Sequence, residues 1–357
     1  MVDVPPEKST PDRCPGVLRP HRAADGALVR LRAPGGRLPD GGFHRLSLAA
    51  GQFGDGDIHL TSRGNLQIRG VSVDERGTVP RGLVRAVSDA GFLPSLSHER
   101  VRNIVASPLS GLGGGLADIR PLVGALDDAL CAEPVLADLP GRFLFGLDDG
   151  RGDVAGLRCD LAAIAVDSRN ARLIVGALSG TTVPLAHVVA SLIDLALRFA
   201  EVRAGRWHVR QLPDAGREIG GGPAAPPVAG FEMPYGRLDS AVSVLVPLGI
   251  LTPSMVSALP HRDVVVTPWR GLVLPASADP AALENAGFVL DGDSAWSRVT
   301  ACTGAPGCNL AEGNTRALAR RVAAAPFPNE PVHVVGCERS CGAPHSPHTL
   351  VFARSST

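Results

Sequence analysis

Cysteines are the residues best able to hold a metal in this chain, and four of the seven lie in two short segments near its C-terminal end. Cys302 and Cys308 enclose five residues in CTGAPGC, and Cys337 and Cys341 enclose three in CERSC. Thiolates at such varied spacings suit a [4Fe–4S] cluster, whereas a structural zinc more often has the tighter Cys-x2-Cys pair. The spacing therefore favours a cluster, with zinc or unliganded thiols as the alternatives.

Three histidines flank these segments and are further candidates for metal chemistry. His333 precedes the second cysteine pair, and His345 and His348 follow it in CGAPHSPH. A His-x2-His pair could help to ligate a mononuclear iron. The plainer interpretation is a Pro-rich loop that happens to contain histidines. The other cysteines stand alone, and we interpret Cys131 and Cys159 as buried apolar side chains.

Composition excludes several classes of partner. The 357 residues carry 35 basic and 35 acidic side chains, so the formal net charge is zero. A balanced charge argues against a nucleic-acid or membrane-surface partner as the main role. No apolar run is long enough to cross a bilayer, and the polar, Pro-rich N-terminus has no apolar signal region. We therefore expect a cytoplasmic protein whose clustered cysteines bind metal rather than form disulfides.

The elements that must position the cysteines belong to several domains. Helical spacing predicts helices over 40–54, 79–92, 118–133 and 185–202, and short alternating or apolar runs between them predict strands. A further helix is expected between the two cysteine pairs, where it would return the chain to the first pair. The predicted boundaries are a leader (1–25), a first half-domain (26–95), a central mixed α/β domain (96–216), a Gly/Pro-rich linker (217–236), a second half-domain (237–292) and a cluster domain (293–357).

A weak internal repeat relates the two half-domains. In each, a helix precedes a strand that ends at a threonine, Thr61 or Thr267, and a turn, a second strand and a helix ending in AGF follow. To complete this order we predict that 239–259 is helical. Such a duplication predicts two related α+β half-domains packed about a pseudo-twofold axis.

These motifs resemble the siroheme sulfite and nitrite reductase superfamily. That family carries Cys-x5-Cys and Cys-x3-Cys near its C-terminus, and the segment HLTSRGNLQIRGV is similar to its Thr-x-Arg strand pair, with Arg63 and Gln67 at the motif positions. RVRNIVASPLSG and LPGRFLFGLDD resemble two further family segments. The resemblance implies an α+β fold with two ferredoxin-like half-domains related by duplication, and central and C-terminal cluster-binding domains of the sulfite/nitrite reductase type.

One position separates the branches of this superfamily. In the reductases, the segment resembled by LPGRFLFG carries a Lys-x-Lys pair that contacts the anionic substrate; here the aligned residues are Arg142 and Leu144. Lys8 is the only lysine, so a change from lysine to arginine carries little weight, but leucine removes a cation. Together with the short chain, this favours the precorrin-3B synthase branch. That resemblance implies an O2-dependent monooxygenase that hydroxylates precorrin-3A at C20 and closes a γ-lactone.

The same resemblance implies cofactors, partners and site residues. Cys302, Cys308, Cys337 and Cys341 would bind the [4Fe–4S] cluster, and a mononuclear non-haem iron is the second cofactor that the resemblance allows. Because guanidinium groups bind carboxylates through two hydrogen bonds, we expect polar side chains of the matched segments to contact the substrate's acidic groups. They are Arg63, Asn65, Gln67, Arg69, Arg102, Asn103, Arg142 and Arg270.

Electrons would come from a separate reductase or ferredoxin, because the GLGGG segment at 111–115 lacks the strand–helix context of a dinucleotide fingerprint. Two alternative functions remain open. One is a short siroheme-dependent sulfite or nitrite reductase, and the other is a non-catalytic protein that binds a tetrapyrrole or a cluster.

Overall fold

Residues 12–227, 231–325, 330–344 and 346–354 are described by a computed structural model of the protein. The chain divides into two compact units. One comprises Gly16–Pro94 together with Met233–Thr357, and the other comprises Ser95–Glu232 with the N-terminal segment up to Pro15. His345 lies outside the described residues. None of the helices in the described part of the chain is long and apolar enough to span a membrane.

The first half-domain is a β-sheet covered by two helices. Its elements are β1 (His21–Ala23), β2 (Gly26–Leu31), α1 (Gly42–Phe53), β3 (Ile58–Leu60), β4 (Leu66–Val71) and α2 (Arg81–Asp89). The predicted helices and strands are confirmed. Phe43, Leu46 and Ala50 lie on one face of α1 and are buried against the sheet. Gly64, at a φ of 66°, supplies the left-handed residue of the tight turn between β3 and β4.

The second half-domain repeats this order. Its elements are β10 (Gly236–Arg237), β11 (Ala241–Leu245), β12 (Ile250–Leu251), α5 (Pro253–Ser257), β13 (Val265–Val266), β14 (Gly271–Pro275) and α6 (Pro280–Ala286). The strand order β11-β14-β13 matches β2-β4-β3 of the first half-domain, and all of these pairs are antiparallel. The predicted duplication is therefore confirmed.

One helix of this repeat was predicted wrongly. We expected 239–259 to be helical throughout, but only Pro253–Ser257 forms an α-helix there, and Ala241–Leu245 is a strand. All five residues of this strand are buried. A strand buried on both faces shows no alternation of apolar and polar residues, so its sequence cannot be told from a buried helix by periodicity.

Both half-domains share one hydrophobic core. Val29, Leu31 and Ile68 of the first belong to the same buried cluster as Val244 and Leu272 of the second. Strand β12 also pairs with β3, so the second half-domain adds a strand to the sheet of the first. The two half-domains therefore bury their sheets together.

The unit built on Ser95–Glu232 has a five-stranded mixed sheet in the order β5-β6-β7-β8-β9. Its elements are β5 (Ile104–Ala106), α3 (Arg120–Ala132), β6 (Phe145–Asp148), β7 (Leu161–Ala165), β8 (Asn170–Val175), β9 (Leu178–Pro184) and α4 (Val188–Val202). Helices α3 and α4 pack in one core with Phe143 and Phe145. A second, smaller buried group contains Val105, Leu144 and Cys159.

Two predicted boundaries need correction. The leader was expected to extend to residue 25, but His21–Ala23 forms β1 and Val17 is 2% exposed. The linker was expected over 217–236, but much of it is docked. Ile219 is 1% exposed, and the amide of Ser179 donates to the carbonyl of Pro223 at 2.8 Å. A Gly/Pro-rich composition predicts irregular backbone but does not show whether that backbone is free. Here hydrogen bonds to β9 hold it in place.

The C-terminal segment is a small parallel sheet with one helix. Its elements are β15 (Val299–Ala301), α7 (Thr315–Ala324), β16 (Val332–Val335) and β17 (Thr349–Phe352), and the sheet order follows the chain. The expected helix between the cysteine pairs is α7. Parallel strands need a crossover connection, and α7 supplies it between β15 and β16. The carboxyl ends of β15 and β16 therefore lie side by side.

Candidate functional site

The four clustered cysteines follow the carboxyl ends of two adjacent parallel strands. Cys302 comes directly after β15, and Cys337 comes two residues after β16. The amide of Cys302 donates to the carbonyl of Val334 at 2.9 Å, which continues the pairing of the strands into the first cysteine. The amide of Gly336 donates to Sγ of Cys302 at 3.3 Å. The parallel pairing thus brings the two cysteine segments together.

Electrostatics place all four thiols in one neighbourhood. Burial raises the pKa of Cys341, and the charges of Cys337, Cys302 and Cys308 raise it further, while Arg339 acts in the opposite direction. Cys341 is exposed at its surface and the other three are half-buried. A positively charged centre would relieve this repulsion between the ionised forms of neighbouring thiols.

The number and arrangement of these thiols bear on which metal centre they could hold. Zinc–sulfur bonds of about 2.3 Å place any two sulfurs on one zinc within roughly 4.6 Å of each other. Among the described residues, no three of the cysteines offer sulfurs that all lie within 4.8 Å of one another. Four cysteines match in number the thiolates of a [4Fe–4S] cluster, in which each would bind a different iron.

His333, on β16, contacts the backbone of the second cysteine segment. It is fully buried, with Nδ1 2.8 Å from the hydroxyl of Thr300 and Nε2 3.2 Å from the carbonyl of Cys341. Burial lowers the pKa of His333 to about 4. The hydrogen bond to the carbonyl of Cys341 acts to raise this pKa, and the charges of Arg270 and His348 act to lower it further. Because both ring nitrogens are engaged, His333 orients backbone rather than offering a metal ligand. The proposed role of the His345–His348 pair stays a prediction.

Arg270 is a half-buried cation with one buried, unsatisfied nitrogen. Its Nη1 is buried without a hydrogen-bond partner among the described residues, and burial lowers the pKa of its guanidinium. Its backbone has a φ of 58° in the turn between β13 and β14. The side chain reaches the cysteine segment, because a β-carbon built on Gly342 would lie 3.4 Å from its Nη2. A buried guanidinium of this kind is stabilised by an anionic ligand.

The other predicted residues of this unit have partners within the protein. Asn65 is 1% exposed and its Oδ1 accepts from the amide of Ala33. With the amide of Gln67 oriented so that its oxygen faces Arg30, that oxygen accepts from Nη2 at 2.7 Å. Arg63 is half-buried in the turn after β3. Asn65 therefore holds the strand pair together, while Gln67 and Arg63 keep part of their surface exposed.

Arg69 forms an ion pair with Asp25 and a hydrogen bond to the loop between Cys302 and Cys308. Its Nε and Nη2 donate to the two carboxylate oxygens of Asp25, each at 2.9 Å, and Nη2 also donates to the carbonyl of Gly307 at 3.0 Å. Gly307 lies between Cys302 and Cys308 in the cluster loop. Sequence reasoning missed Asp25, because nothing in the spacing of residues 25 and 69 marks them as partners.

The remaining candidates belong to the other unit. Arg102 is 4% exposed and donates to both carboxylate oxygens of Asp127, at 2.8 and 2.6 Å. Asn103 is fully buried and donates to the carbonyl of Phe143. Arg142, by contrast, is exposed and lies over the ring of Trp207, 4.8 Å from its centroid. In this unit Arg142 is the predicted residue best placed to meet a ligand.

An acidic group that the sequence did not suggest lies at the end of β6. Asp148, Asp149 and Asp153 are buried, and their oxygens lie within 4.8 Å of one another. The side chain of Asp148 accepts from four backbone amides, and Asp149 is paired with Arg151. These contacts organise the group as a turn, while Oδ2 of Asp153 is buried without a hydrogen bond among the described residues.

Comparison with known proteins agrees with this architecture. Residues 19–85 match the nitrite/sulfite reductase ferredoxin-like half domain. The structure of the Mycobacterium tuberculosis NirA protein has the same fold, with a TM-score of 0.69 and 21% identity over 88% of this chain and 69% of that one. The fold is thus that of the nitrite and sulfite reductases.

Within that class, the chain is similar to a curated precorrin-3B synthase from Sinorhizobium sp. The two are 27% identical over 379 residues, which cover 96% of this chain and 81% of the relative. The resemblance to the precorrin-3B synthase branch of the superfamily, first indicated by Leu144 and the short chain, is confirmed.

Proposed function

We propose that this chain is a monooxygenase of the precorrin-3B synthase type, which hydroxylates precorrin-3A at C20 and forms a γ-lactone. The observation that carries the proposal is Arg270, whose Nη1 is buried without a hydrogen-bond partner among the described residues and whose side chain reaches the cysteine segment. Leaving such a donor buried and unpaired costs about 1 to 3 kcal/mol. A tetrapyrrole with acetate and propionate groups supplies the missing carboxylate.

Leu144 favours this substrate over sulfite or nitrite. It is 3% exposed and packs in the small apolar group with Val105, Val154 and Cys159. A lysine at this position would bury its ammonium group among aliphatic side chains, which is unfavourable without a partner. A small anion that must accept several electrons and protons needs a dense set of cations. The loss of one cation is easier to reconcile with a large substrate held at many points.

The proposed reaction balances with one external donor. One atom of O2 becomes the C20 hydroxyl and the other leaves as water, for which a reduced donor supplies two electrons and solvent supplies two protons. The double bond between C20 and the adjacent ring carbon breaks: C20 takes the hydroxyl oxygen, the ring carbon takes an acetate oxygen of ring A to close the lactone, and the proton lost by the acetic acid ends on the hydroxyl. A [4Fe–4S] cluster held by Cys302, Cys308, Cys337 and Cys341 would pass electrons singly from a separate reductase or ferredoxin.

The chain's own residues would bind and orient the substrate. We assign Arg270 to a carboxylate of the macrocycle, with Arg63 and Gln67 as further polar contacts in the same unit. Arg142 of the other unit is proposed by itself as a carboxylate-binding residue, since its guanidinium is exposed and lies over the ring of Trp207. Arg102, Asn65 and Asn103 are buried in existing contacts and would act by keeping these segments in place.

Oxygen uptake by the anaerobically purified, cluster-loaded protein tests the proposal. With precorrin-3A, a chemical reductant and labelled O2, we expect uptake that depends on substrate and a product with one labelled oxygen atom. Visible porphyrinoid bands together with reduction of sulfite or nitrite would instead establish a siroheme reductase. Cluster-loaded protein that binds precorrin-3A without consuming oxygen would establish a binding protein.

A further inference from the structure

Besides the backbone hydrogen bonds from Cys302 to Val334 and from Ala305 to Gly313, three further contacts hold the loop between Cys302 and Cys308. The amide of Gly336 donates to Sγ of Cys302, and the hydroxyl of Thr315 donates to the carbonyl of Cys302 at 2.7 Å. Both contacts come from the C-terminal segment itself. The third contact comes from the first half-domain, where Arg69 of β4 donates to the carbonyl of Gly307, the residue next to Cys308.

The side chain that makes the third contact, Arg69, is held in one orientation by Asp25. Arg69 is 6% exposed, and its guanidinium plane is fixed by two parallel hydrogen bonds to Asp25. Asp25 lies in the turn between β1 and β2, and the neighbouring Gly26 packs against Gly70, where a β-carbon would lie 2.9 Å from the carbonyl carbon of Gly70. The turn therefore holds Asp25 close to the strand that carries Arg69.

The loop is fitted closely to this ion pair. A β-carbon on Gly307 would lie 2.9 Å from Oδ2 of Asp25, 3.3 Å from Nη2 of Arg69 and 2.8 Å from the side chain of Thr303. Gly307 itself is buried. A hydrogen bond from a charged, desolvated donor contributes more than a neutral one, so this contact has a large effect on the loop's position.

We propose that Arg69, oriented by Asp25, is a positioning residue for the cluster: it fixes the loop that presents Cys308, and does not contact substrate. The inference rests on the proposed function only in taking these cysteines as cluster ligands. It gives the first half-domain a direct part in the metal centre, through a strand far from the cysteines in sequence.

Three variants test this role against a matched control. Arg69→Lys keeps the charge but loses the two-pronged contact, Asp25→Asn keeps the size of the partner but loses its charge, and Gly307→Ala keeps both charged groups but displaces the loop. The control is Arg22→Gln, since Arg22 is an exposed arginine of the same half-domain that donates to one carbonyl, that of Glu75.

We expect the three variants to lose iron to a chelator at least about tenfold faster than wild type, and the control to match wild type. The electron paramagnetic resonance spectrum of the reduced cluster should change shape in Arg69→Lys and Gly307→Ala, which a general loss of stability would not produce. Arg69→Gln combined with Asp25→Asn should be no worse than Arg69→Gln alone, because the two residues act together.

Hydrogen exchange in the cluster-free protein gives a readout that does not depend on loading. Amides of 303–313 should exchange faster in the three variants, while those of β3 and β4 stay protected, which also shows that the chain has folded. Unchanged exchange, chelation rate and spectrum in Arg69→Lys and Gly307→Ala would overturn the inference. If wild type itself binds no cluster, the proposed function fails, and the exchange data alone then decide the role of Arg69.

Discussion

Arg69 and Arg270 belong to the same unit and differ in the partners of their guanidinium groups. Arg69 has both a carboxylate and a carbonyl partner, whereas Nη1 of Arg270 is buried with none among the described residues. A satisfied guanidinium stabilises the folded chain, while an unsatisfied one destabilises it until a ligand arrives. Partners, and not residue type, therefore separate a positioning residue from a binding residue.

Replacing Arg270 by methionine is expected to have opposite effects on stability and on binding. The ligand-free protein should become more stable by about 1 kcal/mol or more, because a desolvated charge is removed. The apparent Kd for precorrin-3A should rise at least about tenfold, since a charged hydrogen bond is lost. Urea unfolding and a binding titration measure the two effects.

Arg262→Met is the control for this prediction, because Arg262 is exposed and its one ion-pair contact, to Asp40, is long at 3.7 Å. It should leave both quantities near wild type. If Arg270→Met instead weakened folding and left binding unchanged, Arg270 would have to be a structural residue.

Replacing Cys302 by serine should remove cluster and activity together. The hydroxyl is a poorer ligand than a thiolate, and Cys302 also receives the amide of Gly336. The half-buried Cys131, whose thiol pKa is raised by burial, is the control, and Cys131→Ser should keep full iron and sulfide. A Cys302→Ser protein with wild-type iron and sulfide content would show that the ligand assignment is incorrect.

At the scale of elements, the chain uses strand ends to gather polar groups. β15 and β16 end at the cysteines, and β6 ends at Asp148, around which the following turn donates four amides. Oδ1 of Asp153 accepts a hydrogen bond from the hydroxyl of Ser107, but Oδ2 of Asp153 is buried without a hydrogen bond among the described residues. Burial raises the pKa of Asp153 to about 7, with the charges of Asp148 and Asp149 adding to the effect.

The raised pKa of Asp153 predicts a stability that falls as the pH rises. The folded chain keeps the proton up to about pH 7, whereas the unfolded chain loses it near the ordinary value of 3.8. This contribution is therefore fully present below about pH 4 and is lost as the pH rises through about 7. Asp153→Asn, which is always neutral, should be more stable than wild type at pH 8 by about 2 to 4 kcal/mol.

Denaturant unfolding of Asp153→Asn and wild type between pH 4 and pH 8 measures this difference, which should vanish at the acidic end. Ser107→Ala provides a second check, because loss of its hydrogen bond removes an interaction that lowers the pKa of Asp153. Equal stabilities of Asp153→Asn and wild type at pH 8 would mean that the carboxylate is stabilised by contacts other than those described.

At the scale of the whole molecule, each of the two compact units has its own core. The cysteines of the cluster segments belong entirely to the unit that contains the half-domains. Metal binding energy is folding energy for the segments that supply the ligands. Removal of the cluster should therefore weaken that unit while leaving the other largely unchanged.

Hydrogen exchange with and without iron tests this expectation. We expect amides of 299–341 to lose protection on chelation, and amides of β6, β7 and α4 to keep it. Wild-type protein with its cluster retained is the reference. Equal losses in both units would show that the cluster supports the fold of the whole chain.

The sequence by itself determined the elements whose signal is local. The helical spacing of Phe43, Leu46 and Ala50 specified α1, and the parallel positions of Thr61 and Thr267 revealed the duplication. The spacing of the cysteines was enough to favour a cluster over a single zinc ion. In each case the information lies within a few residues, where period and turn chemistry act directly.

Only the tertiary structure decided which polar residues have partners. Arg69 meets Asp25 across 44 residues and Gly307 across 238, and no periodicity encodes such contacts. The same limit made Ala241–Leu245 look helical, because full burial on both faces is a property of the folded sheet. From the sequence, Arg69 and Arg270 were both expected to bind substrate. Long-range packing distinguishes them, because it gives Arg69 a carboxylate and a carbonyl partner and leaves Nη1 of Arg270 without a hydrogen bond among the described residues.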